Sequence, residues 1–84
     1  MNTPWQLLTH RLRQRRWLAL HRDLATANGL SPPEARLLWR IGVGAGLDNP
    51  ALVFVRPTLF ESRALLLGAD PDLIESIRGK VFRG

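Results

Sequence analysis

Apolar residues recur along this chain mostly at the three-to-four-residue spacing of helices, and proline, glycine and capping residues mark where each helix begins and ends. Thr3 can cap a helix whose first position is Pro4, since the missing N–H of proline would have no partner there anyway. This first helix is predicted to run to about Asn28, where Gly29 supplies a left-handed closing residue. The chain therefore opens with a long predicted helix.

Capping residues, prolines and glycines also predict where the later helices begin and end. Ser31-Pro32-Pro33-Glu34 and Thr58-Leu59-Phe60-Glu61 each match a capping box, in which the first side chain and the glutamate satisfy backbone N–H groups at a helix start. Asn49-Pro50 and Asp70-Pro71 mark two further starts. The predicted ends are the glycine cluster Gly42, Gly44 and Gly46, then Pro57, Gly68 and about Phe82.

Residues 51–55 are the one ambiguous segment, because the sequence ALVFV suits a strand as well as a short helix. A single strand would find no partner in this chain, and buried unpaired backbone groups are costly. We therefore expect helix here, with an extended segment as the alternative.

These elements predict an all-α fold, a small bundle of four to five helices with a long N-terminal helix in one domain spanning residues 1–84. The predicted core includes Leu24, Leu38, Ile41, Phe54, Phe60, Leu67, Ile74 and Ile77.

The apolar face of the first helix changes direction midway. With Trp5 at zero on a helical wheel, Leu8 and Leu12 fall at about 300° and 340°, whereas Trp17, Leu20 and Leu24 fall at about 60° to 120°. One small core can hardly bury both sets. We therefore expect residues 17–82 to form the core and residues 1–16 to be a basic helical extension.

Positive charge is concentrated in the first predicted helix. Residues 1–30 hold five arginines and one aspartate, net +4, while residues 31–84 hold seven Lys+Arg and six Asp+Glu, net +1. The chain has no cysteine, which excludes disulfides and thiolate metal sites. Its apolar runs fall far short of the roughly 20 residues that span a bilayer, so we expect a cytoplasmic, soluble protein.

No catalytic or metal constellation is evident. His10 and His21 would lie roughly 16 Å apart along one helix, too far to share a metal, and are expected to be solvated or partly packed. Ser31, Ser62 and Ser76 have no evident partner base. The glycines near Gly44 follow a helix, whereas phosphate-binding glycines lead into one. We therefore predict no enzyme activity, no cofactor and no metal.

The feature that exceeds background is a set of arginines and large apolar residues in the first half of the first helix. The predicted partner-binding residues are Trp5, Leu8, Arg11, Leu12, Arg13, Arg15 and Arg16. The arginines surround the helix rather than share one side, which weakens both a membrane-surface helix and a DNA recognition helix. A solvated structural helix, contact with an acidic protein or lipid headgroups, and contact with nucleic acid remain as alternatives.

Residues 23–67 resemble a helical segment of PilZ-type cyclic-di-GMP receptor proteins of the YcgR-like kind. The resemblance is carried by Gly29-Leu30-Ser31, residues 34–38, Gly46-Leu47, Pro50 and Leu59-Phe60-Glu61. It implies a bacterial, cytoplasmic accessory or interaction module beside a nucleotide-binding barrel. Arg11 and Arg15 have the R-x-x-x-R spacing of the family's nucleotide-binding arginines, but no D/N-x-S-x-x-G motif follows them. Nucleotide binding is therefore not carried over to this chain.

The function expected from the sequence is a non-enzymatic helical protein-interaction or accessory module, in cyclic-di-GMP signalling or at the inner membrane face. Its expected partner is a protein, with self-association through the N-terminal helix as one form of that contact. The alternative is a small basic nucleic-acid-binding protein.

Overall fold

A computed structural model describes the backbone of residues 4–83 and the side chains of residues 15–83. Its elements are helices α1 (Pro4–Ala27), α2 (Pro32–Gly44), α3 (Pro57–Leu66) and α4 (Pro71–Ile77), with a 3₁₀ helix (Pro50–Val55) before α3 and a π-helical turn (Arg78–Phe82) after α4. The all-α prediction is confirmed for residues 4–83, where no strand occurs. The proposed Thr3 cap lies outside the described residues.

The junction between α1 and α2 forms as its sequence predicts. Gly29 adopts a φ of 68°, and the N–H of Leu30 donates to the carbonyl of Ala25 at 2.9 Å, which closes α1. The Ser31 N–H then donates to Glu34 Oε1 at 2.8 Å, and the Glu34 N–H donates to Ser31 Oγ at 3.4 Å. The first capping box is therefore confirmed, with both of its reciprocal bonds present.

The ambiguous segment is helical, in the 3₁₀ form. The side chain of Asn49 accepts a hydrogen bond from the Ala51 N–H at 3.0 Å, as an N-cap residue does. Arg56 leaves helical geometry, with φ −128° and ψ 77°, as expected of a residue that precedes proline.

The second predicted capping box is wrong. Pro57 occupies the first position of α3 and the cap is Arg56, which makes no side-chain hydrogen bond to the helix. Because proline fits the first helical turn, α3 starts one residue before Thr58 and leaves that residue inside the helix and exposed. Gly68 closes α3 with a φ of 66°, as predicted.

The core lies where α2 meets α1, α3 and the 3₁₀ helix, and α4 with its π-helical turn completes it. The largest fully buried side chains are Phe60, Leu38, Ile41, Ile77 and Val53. Of the predicted core residues, Leu24 is only partly buried and Leu67 is 46% exposed, so the placement of Leu67 was wrong. Leu67 follows the last residue of α3, where the chain already turns away from the core.

The buried face of α1 also differs from the prediction. It passes through His21 and Ala25, with Trp17 and Leu24 half-buried at its edges, whereas Leu20 is 38% exposed. A histidine therefore takes the central position that the sequence pattern assigned to leucine.

Candidate functional site

The structure describes the side chains of two of the predicted partner-binding residues. Arg15 and Arg16 are exposed on α1. The side chains of Trp5, Leu8, Arg11, Leu12 and Arg13 lie outside the described residues, as does that of His10. The described surface nevertheless carries a different arginine cluster, which begins at Arg22, nearly two turns further along α1.

An open groove of about 330 Å³ lies between α1 and α2. We call it the arginine groove; it is lined by Leu18, His21, Arg22, Ala35, Arg36, Trp39 and Arg40. Leu18, His21 and Arg22 lie along one side of α1, and Ala35, Arg36, Trp39 and Arg40 lie along one side of α2. Where the two helices pack, the apolar side chains of both sets form the floor of the groove and the arginines form its rim.

His21 is the polar residue at the floor of the arginine groove. It is 3% exposed, and its Nε2 lies 2.8 Å from the carbonyl oxygen of Ala35. Since a carbonyl only accepts, Nε2 carries a proton. In the neutral ring Nδ1 is then the unprotonated nitrogen and can only accept a hydrogen bond. Nδ1 is buried and has no hydrogen-bond partner among the residues whose side chains are described.

The imidazole of His21 packs between two aromatic rings. Its centroid is 5.2 Å from that of Trp39 and 5.3 Å from that of Phe54, both in edge-to-face arrangements. Burial lowers the pKa of His21 below its usual 6.5, although the hydrogen bond to Ala35 acts in the opposite direction. The ring is therefore neutral at pH 7. The expectation of a solvated or partly packed histidine was wrong for His21.

The arginines at the rim have no carboxylate partners within residues 15–83. Arg22, Arg36 and Arg40 are exposed and form no ion pair within residues 15–83. The four ion pairs within residues 15–83 instead join cations near the C-terminus to glutamates: Arg78 to Glu61 and Glu75, Lys80 to Glu34, and Arg83 to Glu75. The glutamates are thus engaged elsewhere, and three positive charges surround an apolar floor.

Sequence reasoning missed this groove because its arginines come from two segments of the chain. Arg22 lies near the end of α1, while Arg36 and Arg40 are one turn apart on α2. Only the packing of the two helices brings them to one surface. The available signal was the similar spacing of apolar and basic residues in the two segments: Leu18, His21 and Arg22 in LALHR, and Ala35, Arg36, Trp39 and Arg40 in ARLLWR.

The three serines that were considered as nucleophiles each form a hydrogen bond within the protein. Ser31 caps α2, Ser62 Oγ donates to the carbonyl of Leu59 at 3.3 Å, and Ser76 Oγ donates to Glu34 Oε2 at 2.6 Å. Among the described residues, no three histidine or acidic side chains are grouped as a metal site would require. Within the same residues, no helix is long and apolar enough to cross a membrane.

Comparison with protein-family models, with curated proteins and with solved structures finds no match to this chain. The resemblance of residues 23–67 to PilZ-type receptors therefore stays a prediction.

Proposed function

We propose that this chain is a non-enzymatic helical interaction module that binds an acidic segment of a protein partner in the arginine groove. The observation that carries the proposal is the combination of Arg22, Arg36 and Arg40, none with a carboxylate partner in residues 15–83, around a floor of Leu18, Ala35 and Trp39. An apolar centre with a charged rim is the usual composition of a protein-binding surface.

The size and charge of the groove favour one large apolar side chain flanked by carboxylates. Its volume of about 330 Å³ is at the lower end for small-molecule sites, and the groove is open along its length. Arg36 and Arg40 are one helical turn apart, roughly 6 Å along α2, so they match two carboxylates at the same spacing on an amphipathic helix. Arg22 lies on the opposite helix and would pair with a third carboxylate.

A second candidate function, nucleic-acid binding, is favoured by the number of exposed arginines. Six of them, Arg15, Arg16, Arg22, Arg36, Arg40 and Arg56, form no ion pair in the part of the chain with described side chains. The apolar floor distinguishes the two functions, because phosphate contacts need cations but no cavity for an apolar side chain.

The test is a binding titration of the full chain with a synthetic helical peptide that carries one tryptophan flanked by glutamates at one-turn spacing. A matched peptide has glutamine at each glutamate, and a short DNA duplex represents the second function. We expect the acidic peptide to bind and the glutamine peptide to bind at least tenfold more weakly, a difference of about 1.4 kcal/mol.

Two variants locate the binding site. Arg36→Gln should weaken peptide binding several-fold, whereas Arg56→Gln, an exposed arginine outside the groove, should leave it unchanged. Equal affinity for the two peptides would contradict the proposal. DNA binding that falls by orders of magnitude between 50 and 200 mM salt, together with no peptide binding, would establish the second function instead.

A further inference from the structure

The end of α3 exposes three consecutive leucines. Leu65, Leu66 and Leu67, which we call the leucine tip, are 74%, 78% and 46% exposed. Leu66 and Leu65 are the most exposed large apolar residues of the described side chains, followed by Val55 at 72%. Contiguous exposed apolar residues of this kind mark a surface that contacts another molecule or a membrane.

The leucine tip is a projection rather than one side of a helix. Successive helical residues differ by about 100°, so three in a row spread over about 200° around the axis. Leu65 lines a groove with Pro57 and Ser62 on one side, whereas Leu67 lines a different groove with Leu37 and Arg40 on the other. A flat protein surface would cover only some of the three leucines, whereas the hydrocarbon of a bilayer would surround all three once they insert.

The backbone N–H groups at the leucine tip are hydrogen-bonded within the helix and the turn that follows it. The N–H groups of Leu67, Gly68 and Ala69 donate to the carbonyls of Arg63, Leu65 and Ala64 at 3.0, 3.0 and 3.1 Å. This closure depends on Gly68, whose φ of 66° is readily adopted by glycine. Because unpaired N–H groups are costly in an apolar phase, a tip with bonded N–H groups can enter a lipid surface without exposing them.

Cationic side chains lie beside the leucine tip on the α2 side. The groove that Leu67 lines is also lined by Arg36 and Arg40, and Arg63 is one turn before Leu67 on α3. None of these arginines forms an ion pair within residues 15–83. The acids nearest in sequence are Asp70 and Glu61. Asp70 lies beyond the turn at the start of α4, where its carboxylate accepts the Asp72 N–H at 2.9 Å. Glu61 lines the groove of Leu65, and its charge is paired with Arg78.

We propose that the leucine tip inserts into the interfacial layer of a bilayer with anionic headgroups, while Arg36, Arg40 and Arg63 remain at headgroup level. Long basic side chains can keep their charge in the polar layer while their carbon chains follow apolar groups below it. This proposal goes beyond binding of an acidic protein segment and uses different apolar residues. Since Arg36 and Arg40 line both grooves, the leucines rather than the arginines separate the two proposals experimentally.

The first experiment is flotation of the full chain with vesicles of phosphatidylcholine and phosphatidylglycerol in a ratio of about 70:30. Wild type should float with these vesicles, and the double variant L65Q/L66Q should partition at least tenfold more weakly because two leucines lose their apolar burial. The matched control is Val55→Gln, which changes an equally exposed apolar residue away from the tip and should bind as wild type does. L65Q/L66Q should still bind the acidic peptide, so failure of one proposal is distinguishable from failure of the other.

The second experiment uses the absence of cysteine from the chain. Leu66→Cys and Val55→Cys are each labelled with a polarity-sensitive fluorophore. Vesicles should shift the emission of the label at position 66 to shorter wavelength and leave that at position 55 unchanged. This readout tests insertion at one exposed position without changing the rest of the tip.

Three results would overturn the proposal. One is no binding of wild type to the anionic vesicles, and another is undiminished binding by L65Q/L66Q. The third is concentration-dependent self-association of wild type that L65Q/L66Q abolishes while vesicles shift neither label, because a second copy of the chain would then cover the leucines. Equal binding to pure phosphatidylcholine vesicles would overturn the role given to the arginines.

Discussion

Lys80 Nζ lies 2.7 Å from Glu34 Oε1, so the π-helical turn near the end of the chain is joined to the first turn of α2. Glu34 is only 3% exposed. It also accepts hydrogen bonds from the Ser31 N–H at 2.8 Å and from Ser76 Oγ at 2.6 Å. One carboxylate thus caps α2 and connects it with α4 and with the turn that follows α4.

The charge of Glu34 should stabilise the fold over a defined pH range. Burial alone would raise the pKa of Glu34, but the hydrogen bonds from Lys80, Ser76 and Ser31 outweigh it and lower the pKa from 4.5 to about 2. Since the folded pKa is below the unfolded one, this stabilisation is complete above about pH 4.5 and is lost as the pH falls towards 2.

Glu34→Gln should therefore reduce the free energy of unfolding by about 1–3 kcal/mol at pH 6, the usual range for a charged hydrogen-bonded group. The difference from wild type should shrink between pH 5 and pH 2.5, as measured by denaturant unfolding. Glu61→Gln is the control, because its ion pair with Arg78 is half exposed and should contribute less. A difference between wild type and Glu34→Gln that stays constant over this pH range would contradict the assignment.

The two S/T-x-x-E motifs should respond differently to alanine. Ser31→Ala should lower the free energy of unfolding by about 1 kcal/mol, since Ser31 Oγ accepts the Glu34 N–H. Thr58→Ala should change it by less than about 0.5 kcal/mol, because Thr58 is exposed within α3 and is not its cap. Denaturation midpoints measured side by side would decide the matter, and equal losses in both variants would show that α3 begins at Thr58 after all.

Two glycines of α2 should also respond differently. A Cβ at Gly42 would meet the carbonyl oxygen of Pro50 well inside contact distance, so α2 and the 3₁₀ helix would have to separate. Gly42→Ala should therefore destabilise by about 1–3 kcal/mol. A Cβ at Gly44 would have no atom within 4 Å, so Gly44→Ala should be neutral or stabilise by up to about 1 kcal/mol through helix propensity. Thermal unfolding of the two variants provides the comparison, and a tolerated alanine at position 42 would show that this contact is not tight.

The features that the sequence predicts well are those decided by adjacent residues. Ser31 and Glu34 form their capping box, and Gly29 and Gly68 close their helices, because each needs only a few neighbouring residues. The capping box predicted at Thr58 does not form, because Pro57 takes the first helical position instead. Which residue caps α3 depends on the backbone geometry around Pro57, which a match to the capping-box motif does not specify.

Relationships between distant segments were beyond sequence reasoning. Lys80 and Glu34 are 46 positions apart, and nothing in their local sequence pairs them. His21 was expected to be partly solvated, yet Phe54 and Trp39 enclose it once α1, α2 and the 3₁₀ helix pack together. The arginine groove depends on the same packing, so its location could not be read from the charge pattern alone.

The last prediction concerns the division between residues 1–16 and residues 17–82. Among the residues with described side chains, the first buried one is His21, and Trp17 and Leu18 are half-buried. On a helical wheel Trp5, Leu8 and Leu12 fall on a different side from Trp17 and Leu24, so one small core can hardly bury both sets. We therefore expect a chain that lacks residues 1–14 to keep its thermal midpoint within a few degrees, because removing a segment outside the core changes stability little.

The same deletion should weaken contact with a partner. It removes Trp5, Arg11 and Arg13, which belong to the residue types that most often anchor interfaces, together with the apolar Leu8 and Leu12, and leaves Arg15 and Arg16 in place. The measurements are the thermal midpoint and the concentration dependence of self-association, and affinity for the acidic peptide is the control because the arginine groove stays intact. Full-length and truncated chains of equal stability, of which only the full-length one self-associates, would support the division. Unfolding of the truncated chain would assign residues 1–14 to the core, because an interaction surface can be removed without loss of the fold and a core element cannot.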